Sequence, residues 1–202
     1  MSGEKYPETL IDLIAFFKTL PGIGSRSATR IAFSILKWNG DKQKSLGNLI
    51  AKLDSAIVPC PECGNLSEKD ELCKFCSDLS RDKSTICVVE DVMQISTIEA
   101  GALFKGMYHV LGGRIAPLDG RGAEELNIPR LLERIEQNGV FEVILALGQD
   151  VEGQATAIYI SELLKDKNIK ITRLARGLPA GSDLSYADPA TIAVALSGRT
   201  TI

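Results

Sequence analysis

Residues 60–76 read CPECGNLSEKDELCKFC and separate two parts of the chain that have different hydrophobic patterns. They contain two C-x-x-C pairs, Cys60 with Cys63 and Cys73 with Cys76, with nine residues between the pairs. A C-x-x-C turn places two thiolates on one side of a metal ion, and structural zinc takes four such ligands at tetrahedral corners. The spacing therefore predicts a small knuckle held by one zinc ion. Four protein ligands leave no open coordination position, so this metal is expected to be structural.

Two disulfides and four free core thiols are the alternatives to a metal. The charged run at 68–71 between the two pairs disfavours a core of thiols, and a reducing compartment disfavours disulfides. The segment has few apolar residues, so metal binding would contribute to its folding. Gly64 follows the second ligand, where a tight turn favours positive φ. Cys87 lies apart from the cluster, and we expect it to be an ordinary core residue.

Before the knuckle, residues 1–55 carry apolar side chains with the 3.6-residue period of amphipathic helices. The segment 20–24, LPGIG, is too rich in proline and glycine to be helical, so it separates the first two helices. The apolar positions form three sets, namely Leu10, Leu13, Ile14 and Phe17, then Ala28, Ile31, Ala32 and Ile35, and finally Leu46, Leu49, Ile50 and Leu53.

After the knuckle, from about residue 84, short apolar runs alternate with helical patterns. Such alternation is typical of an α/β fold with a mainly parallel sheet that is covered on both faces. The predicted strands are 86–89, 107–110, 140–147 and 169–174, and the predicted helices lie near 91–101, 128–138, 153–167 and 187–197.

The composition of the 202 residues, with 45% hydrophobic and 24% charged, is ordinary for a soluble globular protein. No stretch approaches the length of a membrane span, and the polar N-terminus is unlike a signal or transit peptide, so we expect a cytoplasmic location. The net charge is −3. An acidic chain of this kind binds nucleic acid only through a local basic face.

The break at 20–24 has the chemistry of a phosphate-binding turn. Gly22 and Gly24 would let backbone N–H groups approach a phosphate, and the following helix would direct its N-terminal dipole at it. Arg26 and Arg30 are four residues apart, so they share one helix face and are candidates for contacts to neighbouring phosphates. Lys18 and Lys37 would extend this surface. The alternative is a tight turn between two packed helices, with arginines that are merely solvated.

Acidic residues follow two of the predicted strands. Glu90 and Asp91 come after the strand at 86–89, and Asp150 and Glu152 come after the strand at 140–147. The carboxyl ends of parallel strands meet at one edge of a sheet, where open α/β folds bind their ligands. These residues are therefore candidates for a cation site or an acidic docking surface. Solvated carboxylates at loop ends are the alternative.

The arrangement of these acidic residues resembles the Toprim domain. That domain places a glutamate after its first strand and a DxDxxGE-like segment after a later one, and together they hold magnesium. Here the second segment, 148–154, reads GQDVEGQ, so Gly148 stands in place of the first aspartate and Gln154 in place of the final glutamate. The resemblance therefore implies a depleted magnesium site, and it favours docking or residual cation binding over catalytic phosphotransfer.

Two further features have no assigned role. His109 lies within a predicted strand, and no matched nucleophile accompanies it, so a structural role is expected. The glycine-rich loop at 111–122 is a candidate for a mobile segment or an interface, and both possibilities remain open.

The order of the three motifs resembles the bacterial RecR family of recombination mediators over essentially the whole chain. The resemblance rests on LPGIGSRSATRIAF, CPECGNLSEKDELCKFC, ICVVED, VLGGRIAPLDG, DVEGQATAIYI and RLARGLPAGSDLSYAD. It implies a helix-hairpin-helix region at 1–55, a zinc finger at 56–80, a Toprim domain at 84–179 and a C-terminal oligomerisation segment at 180–202.

Membership of this family would imply a non-enzymatic factor of DNA repair. Such proteins form ring-shaped oligomers, often tetramers, and act with RecO and RecF to load RecA onto gapped or single-stranded DNA. By that resemblance Arg26 and Arg30 would face DNA, and the acidic residues would dock a basic partner such as RecO. A small magnesium-dependent Toprim nuclease and a zinc-containing scaffold that never touches DNA are the alternative functions.

Overall fold

The structure is a computed structural model that describes residues 6–175, 177–178 and 181–199. It has two compact units, which meet in the sequence between Ala56 and Ile57. Among the described residues, no helix is both long enough and apolar enough to cross a membrane.

The first unit is helical, as predicted. Helix α1 (Glu8–Lys18) packs against helix α2 (Ser25–Leu36), and helix α3 (Gly40–Ala56) follows. Ala28 and Ala32 are completely buried because their small side chains, four residues apart on one face of α2, allow a neighbouring helix to approach closely.

Helix α3 has the apolar face that the sequence predicts. Its side chains nevertheless stay accessible, and Leu49, Ile50 and Leu53 are all more than half exposed. At the N-terminal end of this helix, the Gln43 side-chain amide donates to the Ile35 carbonyl over 2.9 Å. The hydrophobic period of α3 therefore predicted the helix correctly, but it does not mark a buried face within the described residues.

The second unit begins with the cysteine segment. Strands β1 (Ile57–Pro59) and β2 (Leu66–Glu68) form a short antiparallel pair on either side of the first C-x-x-C turn. The sequence did not predict these strands, because three residues each are too few to show a period.

The rest of the second unit is built around a four-stranded sheet of order β4-β3-β5-β6, in which every neighbouring pair is parallel. The helices between its strands are the crossovers that a parallel sheet requires. The elements are β3 (Asp82–Val89), α4 (Val92–Ala100), β4 (Gly106–Val110), α5 (Ile128–Asn138), β5 (Glu142–Ala146), α6 (Val151–Leu164), β6 (Lys170–Arg173) and α7 (Pro189–Ser197).

Both faces of this sheet are covered, and each face has its own core. Ile86 and Val88 of β3 point to one face, where they join a cluster that includes residues of α5 and α6. Cys87 and Val89 point to the opposite face, where the cover consists of α4 together with the cysteine segment. The predicted α/β class is thus confirmed, and the knuckle is part of the core of the sheet.

Several element boundaries differ from the predicted ones. The predicted strands at 140–147 and 169–174 are shorter, since the backbone pairing of β5 and β6 covers only Glu142–Ala146 and Lys170–Arg173. The helix predicted at 153–167 starts at Val151, because Asp150 caps its N-terminus. The observed limits of β3, β4, α4 and α7 also differ from the predicted ranges 86–89, 107–110, 91–101 and 187–197, respectively. Helix α5 has the predicted limits, 128–138. Of the expected C-terminal segment, residues 180 and 200–202 lie outside the described part of the chain.

Candidate metal centre and nucleic-acid interface

The structure brings the four predicted cysteine ligands together. The Sγ atoms of Cys60, Cys63, Cys73 and Cys76 all lie within 4.8 Å of one another, and none forms a disulfide. A tetrahedron with zinc–sulfur bonds of about 2.3 Å has sulfur–sulfur edges of about 3.8 Å. The distance of 3.5 Å between the Sγ atoms of Cys63 and Cys73 is close to that edge. The quartet could therefore hold a metal ion, and its geometry is compatible with zinc.

Two backbone N–H groups donate to cysteine sulfur atoms and thereby favour the anionic form of the sulfur. The N–H of Asn65 donates to Cys63 Sγ over 3.5 Å, and the N–H of Cys73 donates to Cys60 Sγ over 3.4 Å. Gly64 has a φ of +74°, as expected for the tight turn that follows the second ligand. Hydrogen bonding between the two thiols lowers the pKa of Cys73 and raises the pKa of Cys63. Because zinc binds cysteine as the thiolate, metal binding would release the protons that the four thiols carry.

The knuckle is fixed to the sheet by an aromatic and charged contact. The rings of Phe75 and Tyr108 meet edge to face with centroids 5.1 Å apart. The Arg81 guanidinium lies 4.9 Å from the Phe75 ring and donates to Glu99 over 2.5 Å. The N–H of Val110 in β4 also donates to the Cys63 carbonyl over 2.7 Å. A metal that orders the knuckle therefore also supports one face of the sheet.

The predicted phosphate-binding turn leads into a helix that has no side-chain cap. Gly22 has a φ of +76°, which permits the sharp turn after α1. Helix α2 begins after Gly24, whose backbone is extended and which provides no side-chain cap. The first N–H groups of α2 are consequently available to an external acceptor.

Two cations lie on α2, Arg26 in its first turn and Arg30 one turn later. Arg26 and Arg30 are exposed, and neither forms an ion pair with any residue that the structure describes. Lys18 and Lys37 are exposed as well. Uncommitted guanidinium groups beside an uncapped helix N-terminus can together bind neighbouring phosphates.

The acidic residues have different structural roles. Glu90 Oε1 accepts from the Gly148 N–H over 2.6 Å, which joins the ends of β3 and β5. Asp91 caps α4 by accepting from the Met93 N–H over 2.7 Å, within a capping box completed by Gln94. Asp91 therefore serves helix α4, and its D-x-x-Q spacing was a signal that could have revealed this.

Arg114 occupies the place where the sequence predicted a cation or docking site. This residue belongs to the 111–122 loop, and its guanidinium pairs with Asp150 and also with Glu152, the latter over 2.8 Å. Asp150 caps α6 by accepting from the Gly153 N–H, and this bond, followed by Arg114, lowers the pKa of Asp150. No described acidic residues gather here as a metal-ligand group. A cation or basic partner would have to displace Arg114.

His109 is completely buried and bonded on both sides of its ring. Its Nε2 lies 2.7 Å from the Asn127 carbonyl, and Arg134 donates to its Nδ1 over 3.3 Å. Burial, together with the nearby Arg134 and Arg130, lowers the pKa of His109 to about 4. The ring is thus neutral and donates from Nε2, as a structural histidine would.

This lowered pKa predicts a loss of stability in acid. The unfolded chain binds a proton as the pH falls below its ordinary value of 6.5, whereas the folded chain binds it only near 4. The free energy of unfolding should therefore fall between these two pH values, by about 3 kcal/mol, and then level off. His109→Gln keeps a donor at the Nε2 position but does not titrate. Denaturant unfolding of both proteins from pH 7 to 4 should show the difference, and parallel curves would contradict the assignment.

Taken together, the chain has a helix-break-helix unit, a cluster of four cysteines and a Toprim-like sheet. Comparison with known families agrees with the helical unit and the Toprim-like sheet. Models described as "RecR, helix-hairpin-helix", "Toprim domain" and "RecR, C-terminal" match residues 10–53, 84–175 and 177–200.

The similarity to individual proteins extends over almost the whole chain. It is 45% identical over 195 residues to "Recombination protein RecR" of Staphylococcus aureus strain JH9, a match that covers 96% of this chain and 98% of that protein. The proteins of the same name from strains Newman and JH1 match equally. The chain therefore belongs to the RecR family.

Proposed function

We propose that this protein is a non-enzymatic, DNA-binding recombination mediator that acts in the cytoplasm, at the nucleoid. In this role it would act with RecO and RecF to load RecA onto gapped or single-stranded DNA. Membership of the RecR family supports the assignment to recombination. The observation that carries the DNA-binding role is the pair of exposed arginines, Arg26 and Arg30, beside the uncapped start of α2.

DNA binding through this face would not depend on base sequence, since phosphate contacts fix position but do not read bases. A single chain with net charge −3 offers only a small basic face. A ring of several copies, with a tetramer as the expected form, would present several such faces to one DNA and bind it multivalently. Assembly therefore reconciles an acidic protein with a DNA-binding role.

The metal in the cysteine knuckle is proposed to be structural zinc. Cys60, Cys63, Cys73 and Cys76 would be its ligands, and their four thiolates suit zinc better than magnesium or calcium, which prefer oxygen. When bound, zinc would supply folding energy to the knuckle and leave no coordination position for a substrate.

The Toprim-like edge is proposed to dock a basic partner, with RecO as the expected one. Asp150 and Glu152 are 53% and 34% exposed at their side chains, so a partner can reach them. Magnesium is not required for this role, and the replacement of two carboxylates of the Toprim pattern by Gly148 and Gln154 disfavours its binding here. Glu90 and Asp91 would support the site through the backbone contacts that they make.

Arg114 is expected to weaken this docking. Replacing it with glutamine removes the internal cation from Asp150 and Glu152, so affinity for RecO should rise several-fold at low salt. Glu152→Gln should lower that affinity, because a carboxylate is lost at the same place. Isothermal titration of RecO from the same organism into each variant measures both effects. Equal affinities for all three proteins would place the RecO contact elsewhere.

A Toprim nuclease is the rival function, and its test is direct. DNA incubated with the protein and Mg²⁺ should remain intact if the mediator proposal holds. Metal-dependent cleavage that is lost in Glu90→Gln would instead support the nuclease.

The mediator role itself is tested by RecA filament formation on gapped DNA coated with single-strand binding protein. Adding this protein together with RecO and RecF should shorten the lag before RecA assembles. An unchanged lag with an active RecO and RecF would contradict the proposal.

A further inference from the structure

The chain contains a single tryptophan, Trp38, which lies in the short connection between α2 and α3. Hydrogen bonds hold this connection in place. The Gln43 side-chain amide donates to the Ile35 carbonyl over 2.9 Å and to the Trp38 carbonyl over 3.4 Å. The Lys42 N–H donates to the Asn39 side chain over 2.9 Å, at the start of α3. The backbone on both sides of the indole ring is therefore fixed.

The indole ring itself is only half buried. Its N–H donates to no residue that the structure describes, yet it is not a buried unpaired group, so water reaches this edge of the ring. The Lys42 ammonium lies over a face of the ring, with Nζ 4.1 Å from the centroid. Lys42 is exposed, and an exposed cation–π contact is weak. The ring is thus accessible, and the lysine above it can move away.

Trp38 stands at the end of a row of basic side chains on α2. Lys37 is eleven residues after Arg26, which is three helical turns plus about 20°. Arg30 lies between them at a similar angle, so these three cations form one basic stripe, about 16 Å long. Such a stripe matches the repeated phosphates of one nucleic acid strand.

The charge of the first unit favours the same ligand. Residues 1–56 contain eight basic and five acidic residues, a net charge of +3, although the whole chain has a net charge of −3. Lys37 and Lys42 are both exposed, and neither forms an ion pair with a residue in the described part of the chain. Both ammonium groups are consequently available to phosphates beside the ring.

We infer that Trp38 stacks on an unpaired base of single-stranded DNA whose phosphates follow the basic stripe. The inference rests on the proposed DNA-binding function and extends its site from phosphate contacts to a base contact. Stacking of a base on an aromatic ring is stronger than an exposed cation–π contact, so the base displaces Lys42. The freed ammonium then pairs with a phosphate of the same strand.

This contact selects single strands without reading their sequence. Every base has a face that can stack, whereas the bases of a duplex are already stacked on one another. Trp38 would therefore add a preference for single-stranded DNA to a stripe that, by itself, binds phosphates of either form.

The test uses the emission of this single tryptophan in the zinc-loaded, full-length protein. A labelled oligothymidine strand should quench the emission saturably, with the same midpoint as the rise in the anisotropy of its label. An abasic strand of equal length keeps the phosphates but has no bases. It should still bind through the stripe while leaving the emission almost unchanged, and a duplex should quench far less than the single strand.

Trp38→Ala should weaken binding of oligothymidine about tenfold, as expected for one stacked base, and leave binding of the abasic strand unchanged. Trp38→Phe keeps a ring and should retain most of the affinity. The matched control is Phe141→Ala, which removes an exposed aromatic side chain of the second unit and should bind both strands like the wild type. If Trp38→Ala does not fold, the emission of the wild type still decides.

Three results would overturn the inference while the proposed function stands. They are binding of oligothymidine without quenching, equal quenching by the abasic strand, and an unchanged affinity for oligothymidine in Trp38→Ala. If the wild type bound neither strand at low salt, the proposed DNA-binding role and the stacking contact would both be wrong.

Discussion

Replacing both Cys63 and Cys73 with serine is expected to unfold the second unit of the protein. Structural zinc contributes an apparent free energy of about 10–16 kcal/mol in zinc-finger peptides, whereas whole domains are stable by only about 5–15 kcal/mol. The knuckle also covers one face of the sheet, where Cys63 and Cys73 are buried against the same cluster as Val89 and Tyr108. Losing the metal should therefore expose the core of the sheet.

The measurement combines metal analysis with circular dichroism during heating. The double variant should contain no stoichiometric zinc and should show no cooperative transition of the second unit. Cys87→Ala is the matched control, because Cys87 is buried in the same cluster but lies outside the quartet. It should keep its zinc and lose about 1 kcal/mol. A folded and correctly assembled double variant would refute a structural metal.

Replacing Arg26 and Arg30 with alanine should abolish most DNA binding without unfolding the protein. Both side chains are exposed and unpaired with described residues, so their removal leaves no buried group unsatisfied. Each lost phosphate contact should reduce the slope of log affinity against log salt concentration by about 0.7–0.9. For the pair we expect affinity for single-stranded DNA to fall about 100-fold at low salt, from about tenfold per contact.

Fluorescence anisotropy over a range of salt concentrations measures both the affinity and the slope. In the matched control, alanine replaces Lys105 and Lys165, which are two exposed lysines of the second unit. The control therefore changes the net charge by the same amount as the arginine variant. Its DNA affinity should change only slightly. If the control lost as much affinity as the arginine variant, net charge rather than the helix-hairpin-helix face would explain the binding.

Local patterns made much of the fold predictable. The helices of the first unit follow from the 3.6-residue period, and the helix at 128–138 has the predicted limits because Pro129 stands in its first turn and Gly139 follows it with φ +60°. The cysteine quartet was equally predictable, since ligand spacing is a local property. The boundary of α6 was missed because the Asp150 cap was interpreted only as a candidate ligand.

Contacts between distant residues were not predictable in the same way. Nothing near Arg114 indicates that it pairs with Asp150 and Glu152, which lie 36 and 38 positions later in the sequence. The packing of Phe75 on Tyr108, which makes the knuckle part of the sheet's core, is likewise a long-range contact. Arg134 shows a related limit, because helical periodicity gives its position on α5 but not its hydrogen bonds to the Tyr108 carbonyl and to His109 Nδ1.

The exposed face of α3 shows that a hydrophobic period and burial are separate properties. The period of Leu49, Ile50 and Leu53 correctly predicted a helix, yet their side chains are exposed in the structure of the chain. Exposed apolar side chains in one row often mark an interface. The proposed ring would provide one, which links this feature to the assembly that the proposed function needs.

Native mass spectrometry of the full-length protein, with and without a single-stranded oligonucleotide, tests the central claim most directly. It reports assembly, metal content and DNA binding in one measurement. The account predicts a homo-oligomer, a tetramer if the ring has its expected form, with one zinc ion per chain, and a further complex in which the oligomer gains one DNA. A metal-free monomer, or an oligomer that gains no DNA at low salt, would contradict it.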